Sequence, residues 1–328
     1  MKKVIAVLLM LVAAALLWQC SGESNASLSS DMKAQLALMP DDTKGLAYMN
    51  LDKIRQSPFY EMALDSMEDR IDNDEEFQEL VDATGFDLRR DVSEIFVTFE
   101  PDPRERGGAV LAVVKGTFDP EKIMAYVEEK DQEDNIKSEK HGEFTIYRGE
   151  HERSDMVLCF ASETRAVGGK EDLVKSWLDN FKAGKSSVSS DMMARIENVK
   201  YKNGAWFVID TENIMDEVMN SVNRQADMRQ FGALRKVKNV QMSVNVNDAI
   251  KMNGTGDFSD AENAELFHDA IKGALATLKL SMSHDREAVD VVNKVNLSTD
   301  KQHVKLDVEM TKQDIEKLMQ RGRGFAMR

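Results

Sequence analysis

Residues 27–36 read SLSSDMKAQL and residues 187–196 read SVSSDMMARI. Ser27, Ser29, Ser30, Asp31, Met32 and Ala34 recur as Ser187, Ser189, Ser190, Asp191, Met192 and Ala194. Six identities in ten positions, so far apart, mark an internal duplication, and every later segment is read against it. The order of segments then repeats. GLAYMNLDKI from Gly45 answers GAWFVIDTENI from Gly204, and EIFVTFE from Glu94 answers VQMSVNV from Val240. AVVKGTFDPEKI, ending at Ile123, answers IKMNGTGDFSDAENAELF, ending at Phe267. The second copy is the shorter one between its strands.

Each copy is predicted to run as a short helix, a strand, a helix, a β-hairpin, a helix, a second hairpin and a terminal helix. Caps and a 3.6-residue period carry the helices. Ser57 followed by Pro58 reads as the start of one, with Phe59, Met62, Ala63 and Met67 on a face. Asp119 and Pro120 open another bearing Ile123 and Val127. Ser259 or Asp260 opens a long helix with Leu266, Phe267, Ala270, Ile271, Ala274, Leu275 and Leu278 expected on its inner side. Thr311 with Asp314 three residues on forms a capping box that leads Ile315, Leu318 and Met319 onto one face.

Strands of the second copy alternate. Val240, Met242, Val244 and Val246 face one way and Gln241, Ser243, Asn245 and Asn247 the other; Val304, Leu306, Val308 and Met310 repeat this against Lys305, Asp307 and Glu309. Such alternation belongs to antiparallel sheet with one wet face. The expected fold class is therefore α+β: two similar tandem units, each an antiparallel sheet covered by helices on one face. KAGKSSVSS at 182–190 is the junction, which divides the chain into a first repeat at 27–186 and a second at 187–320, followed by a basic tail at 321–328.

The chain of 328 residues carries a formal charge of −15. Residues 20–186 hold 37 acidic and 21 basic side chains, net −16, whereas residues 187–328 hold 21 and 20, net −1. So acidic a first half argues against nucleic acid as a partner.

At the N-terminus stands MKKVIAVLLMLVAAALLWQC. Lys2 and Lys3 precede an apolar run, Val4 to Trp18, too short for the roughly 20 residues of a membrane-spanning helix. Residues 1–19 thus read as an export signal, Cys20 as the point of processing and lipid attachment, and 20–26 as a tether. The segment Leu17-Trp18-Gln19-Cys20 resembles a bacterial lipoprotein box, with Trp18 and Gln19 where that family has two small residues. Beyond it, Pro40 to Thr43, Asn50 to Ile54 and Ser57-Pro58, with the repeated GTFDPEKI-like step, resemble landmarks of a broad group of exported bacterial lipoproteins of unknown function. That resemblance implies a cell-envelope location and a duplicated α+β body. It brings no catalytic residues. Ser21 is not the aspartate tied to inner-membrane retention in such families, which favours the outer membrane.

Candidate chemistry is sparse. The histidines, His141, His151, His268, His284 and His303, include no pair at i, i+4, and a metal site needs three or four converging ligands. Met282-Ser-His284 has the soft donors of a copper site, but the 20 methionines fall mainly where a core needs filling. Asp69 to Glu76 is acid-rich without the glycine and distal glutamate of a calcium loop. Gly254 and Gly256 lack phosphate-loop spacing, and Gly168-Gly169 reads as a turn. Cys159, inside the apolar run MVLCFAS, reads as a buried structural thiol. No catalytic, cofactor-binding or metal residue is therefore assigned, and Cys20 is the one site. The sequence is read as that of a non-enzymatic binding or scaffolding protein of the envelope. Its expected partners are the membrane, through the anchor at Cys20, and another envelope protein or an apolar ligand. The alternatives are a carrier whose cavity is lined by Met62, Met67, Met215, Met219 and Met228, and a hydrolase with no linear motif.

Overall fold

A computed structural model of the chain describes residues 28–41, 43–62, 64, 75–100, 109–130, 136–149, 155–184, 189–199, 203–212 and 235–317. The export signal, Cys20, the tether, the basic tail, His151 and Asp69–Asp74 lie outside the described residues, as do Met67, Met215, Met219 and Met228. The chain divides into two compact units, Ser27–Ala194 and Arg195–Arg328.

The first unit runs α1 (Ser30–Leu36), β1 (Gly45–Asn50), α2 (Leu51–Arg55), α3 (Glu75–Thr84), α4 (Leu88–Asp91), β2 (Val92–Glu100), β3 (Ala109–Gly116), α5 (Pro120–Lys130), β4 (Lys137–His141), β5 (Phe144–Arg148), β6 (Met156–Ser162), β7 (Arg165–Lys170) and α6 (Glu171–Ala183). Next comes α7 (Ser190–Asn198), and the division between the units falls inside it. The second unit continues with β8 (Ala205–Asp210), β9 (Val237–Val246), β10 (Ala249–Phe258), α8 (Ala261–Ser281), α9 (Arg286–Asn293), β11 (Val295–Asp300) and β12 (His303–Thr311).

All described strand pairs are antiparallel. In the first unit the order is β1-β2-β3-β7-β6-β5-β4. In the second it is β8-β9-β10-β12-β11. Removing the β4–β5 hairpin from the first leaves the order of the second.

Local chemistry agrees at equivalent places. Ser29 Oγ accepts from Met32 N–H at 3.2 Å, and Ser189 Oγ accepts from Met192 N–H at 3.2 Å, so the recurring SSDM segment caps a helix at both places. Asp119 accepts from Lys122 N–H at 3.1 Å and Asp260 from Asn263 N–H at 2.9 Å, opening α5 and α8. Between strand and cap, Phe118 N–H donates to Glu163 O and Phe258 N–H to Gln302 O, both at 2.8 Å. Each phenyl ring folds back over the glycine two residues before it. A Cβ on Gly116 would lie 3.0 Å from Phe118 Cζ, and one on Gly256 3.4 Å from Phe258 Cε2. The glycines of KGTFDP and NGTGDF are thus seats for an aromatic ring.

Burial separates the units. In the second, β12 alternates buried Val304 and Val308 with exposed Lys305, Asp307 and Glu309, as its pattern predicts. Val237, Phe258, Ala264 and Val304 form a core closed by Phe267 and Leu297. In the first, Ile95, Val114, Phe118, Ile123 and Ala166 share one cluster. The alternate residues Phe96, Val113 and Val167 are buried as well. Since neighbours along a strand point to opposite faces, this sheet is covered on both sides, not on one as expected. Its strands AVLAVV and MVLCFA are near-continuous in apolar residues, the composition of doubly buried strand.

Ser57 also departs from expectation. Its hydroxyl donates to Ile54 O at 2.7 Å, so it closes α2, and among the described residues it caps no later helix.

Candidate binding surfaces

Helix α8 is the longest described helix, at 21 residues, yet only Ala264 and His268 of it are buried. Asp260 starts it, and Phe267 packs against Phe258 with ring centroids 5.2 Å apart. Ile271 and Leu275 continue the inward stripe half-buried. Its large apolar side chains that stay exposed are Leu266 at 57%, Leu278 at 43% and Leu280 at 75%; Leu278 continues the stripe of Ile271 and Leu275, whereas Leu266 and Leu280 lie on the opposite side. Leu266 was expected to face inward. The helix carries apolar residues around more than one side, so period alone does not say which stripe the sheet takes.

Leu266, Ala270, Gly273, Thr277 and Leu280 fall at i, i+4, i+7, i+11 and i+14, on one face. A Cβ on Gly273 would meet nothing within 4 Å. Acids and bases flank this face in sequence: Glu262, Glu265 and Asp269 towards the start, Lys272 and Lys279 towards the end. Asp269 touches His268 at 3.1 Å. The other four have no ion-pair partner among the described residues.

In the first unit an open cleft of about 440 Å³ is lined in part by Phe144, Tyr147, Phe160 and Phe181, with Glu143 and Lys182. Phe181 stacks on buried Trp177 at 5.1 Å between centroids, and Lys182 Nζ lies 3.5 Å from Glu143 Oε2. No methionine lines this cleft. Met62, the one described member of the expected methionine set, is half-buried elsewhere.

The described histidines stand on separate elements. His141, at the end of β4, has Nε2 2.8 Å from Asp179 Oδ1 of α6. His268 lies on α8, and His284 is exposed just beyond it. His303 Nδ1 is 2.6 Å from Asp257 Oδ1, and Asn239 Nδ2 donates to the other oxygen of Asp257 at 3.0 Å. That last group belongs to a row the sequence does not announce. Register pairs Asp210 with Asn239, Asn239 with Asp257, Asp257 with His303 and His303 with Asp300, across all five strands of the second unit. Directly opposed residues share a face, so residues 210 to 303 assemble a polar strip.

Cys159 is fully buried, and burial pushes its thiol up to about 11, away from a reactive thiolate. Glu75 and Glu76 occupy the first turn of α3, where negative charge suits a helix N-terminus. Among the described residues, no group of three or more His, Cys, Asp or Glu side chains could hold a metal ion, and no helix is long and apolar enough to cross a membrane.

No family model matches the chain, and no curated protein matches it. Among solved structures, crystal form III of TP0453 aligns with a TM-score of 0.49 at 9% identity, over 87% of this chain and 96% of that one. Crystal form I of TP0453 aligns with a TM-score of 0.45 at 11% identity, over 90% and 98%.

Proposed function

We infer that this chain is an exported, lipid-anchored protein of the bacterial cell envelope, outer membrane favoured, that works by binding and is not an enzyme. The leader and Cys20 support the address. The observation that carries the binding role is the outward apolar face of α8, because a protein surface seldom leaves large leucines exposed along one helix unless something covers them in use. Two units of matching strand order, with matching caps and matching Gly-x-Phe seats, support descent from a duplicated ancestor. On this reading the anchor holds the body at the membrane while α8 meets its partner.

Metabolic labelling with a fatty-acid analogue tests the anchor: wild type is expected to take the label and Cys20→Ser to lose it. Equal labelling of both removes the anchor from the proposal.

A second reading is favoured by the aromatic lining of the 440 Å³ cleft, which suits a small apolar or aromatic ligand. Phe160→Glu should then abolish the fluorescence enhancement of a polarity-sensitive dye. No enhancement by the wild-type protein would leave the cleft without a role.

A further inference from the structure

We propose that the outward face of α8 pairs with the same face of a second copy of this chain, antiparallel, about a two-fold axis passing Gly273; the inference rests on the binding reading above and names its partner. Three observations converge on a self-complementary face. First, the ends of the face are symmetric about its middle: Leu266 and Leu280 stand seven residues to either side of Gly273. In a two-fold pair the leucine at 266 of one copy meets the leucine at 280 of the other, at both ends. An isologous interface requires such reciprocity.

Second, Gly273 is unexplained within its own chain. Glycine in a helix interior is the least favourable residue short of proline, and here its missing side chain makes room for nothing closer than 4 Å. With half-buried Ala270 before it and Thr277 after it, it leaves a shallow waist where two helix backbones can approach closely.

Third, the charges are arranged for the reversed direction. A two-fold axis keeps each flank on its own side and reverses its course, so flank meets like flank in an antiparallel pair. Glu262, Glu265 and Asp269 lie at one end of the flank and Lys272 and Lys279 towards the other. Lys279 of one copy then falls level with the stretch between Glu265 and Asp269 of the other. A parallel pair would instead set this flank against the opposite one, where Asn263 and Ala274 offer no charge. Glu265 and Lys279 lack ion-pair partners among the described residues and are available for this, whereas Lys272 falls beside its own counterpart at the axis.

One helix pair buries less than the roughly 1,200 Å² of a stable complex, so the association is concentration-dependent, and confinement at a membrane would strengthen it.

Disulfide crosslinking of the purified full-length chain tests the geometry. Mixing Leu266→Cys with Leu280→Cys under mild oxidation is expected to give the mixed dimer as the dominant product, and Gly273→Cys is expected to dimerise with itself. Adding Gly273→Leu to both partners should abolish the mixed dimer without lowering the thermal midpoint, since that site has space in the monomer. Glu265→Lys with Asp269→Lys should weaken it, and Lys279→Glu added to the same chain should restore it. Dominant 266–266 and 280–280 products, or a mixed dimer that survives Gly273→Leu, would overturn the proposal. So would a monomer whose α8 instead carries it onto phosphatidylethanolamine–phosphatidylglycerol vesicles, or crosslinks in cells to a different protein. The Cys20 labelling result is independent of all these outcomes, so loss of the anchor and loss of the pairing are told apart.

Discussion

Gly116 and Gly273 are the same residue in opposite surroundings. A Cβ at position 116 would sit 2.3 Å from Asp91 O, against backbone that cannot yield cheaply, whereas at 273 it would meet open space. Gly116→Ala is therefore expected to destabilise the protein by about 1–3 kcal/mol. Gly273→Ala, relieved of glycine's helix penalty, is expected to stabilise a dilute monomer by up to about 1 kcal/mol. Chemical denaturation at low protein concentration reads both, and equal signs would refute the account. Cys159 yields a second test at this scale. With its thiol held near 11 by burial, it should resist iodoacetamide at pH 8 in the folded protein and react on unfolding; rapid native alkylation would show it exposed. Both environments come from the fold. MVLCFAS announces a buried cysteine, but nothing in KGTFDP tells of Asp91 O, a backbone atom at the end of α4.

Capping chemistry was legible in part, because a cap is local: Asp119 and Asp260 act where their patterns place them, Ser57 does not, and Ser29 and Ser189, read only as repeated residues, prove to be caps as well. The Thr311–Asp314 box also forms. Thr311 N–H and Oγ1 both donate to Asp314 Oδ2, at 2.7 and 2.6 Å, joined by Lys294 Nζ. Partial burial pushes this carboxyl upward, but the hydrogen bonds from Lys294 and Thr311 outweigh it and hold the group down at about 2. A depressed carboxyl stabilises the fold fully above its unfolded value of about 3.9, and that stabilisation fades as pH falls towards 2. Allowing for solvent screening at the rim, Asp314→Asn should cost on the order of 1–2 kcal/mol at pH 7 and progressively less between pH 4 and 2. An unchanged penalty across that range would exclude an ionised Asp314 as the source. Of the elements that escaped the sequence, two did so for plain physical reasons. β4, KSEKH, has no apolar residue to reveal a strand and is held by pairing with β5. α9, REAVDVVN, is so short that its cap, Asp285 accepting from Ala288 N–H at 3.1 Å, is its main local signal.

At the scale of the molecule the recurrence of SSDM was visible, and the antiparallel α+β architecture followed from alternation in residues 240–310. The candidate surface on α8 was not: of its residues only Leu266 and Ala270 were named, and both were turned inward, since the stripe a sheet selects depends on partners far along the chain. Nor was the row from Asp210 to His303, which register alone assembles. The hairpin that distinguishes the units tests how the larger sheet ends. β4 is exposed along most of its length and carries Lys137, Glu139 and Lys140, with Glu139 Oε1 3.2 Å from Lys175 Nζ of α6. Charges of this kind on an edge strand discourage pairing with another chain. Behind it, β5 pairs Ile146 with Cys159 and Tyr147 with Leu158 of β6. Deleting residues 137–148 would leave the strand order of the second unit, whose last strand, VNLSTD, is polar and mostly exposed along its length. The new edge of the first unit would instead be MVLCFAS, an uncharged apolar strand with open hydrogen-bonding groups. The expected outcome is a chain that keeps its far-ultraviolet circular dichroism but aggregates in light scattering, and that Leu158→Lys partly rescues. A monodisperse deletion variant would mean that β4 and β5 are not what protects this edge.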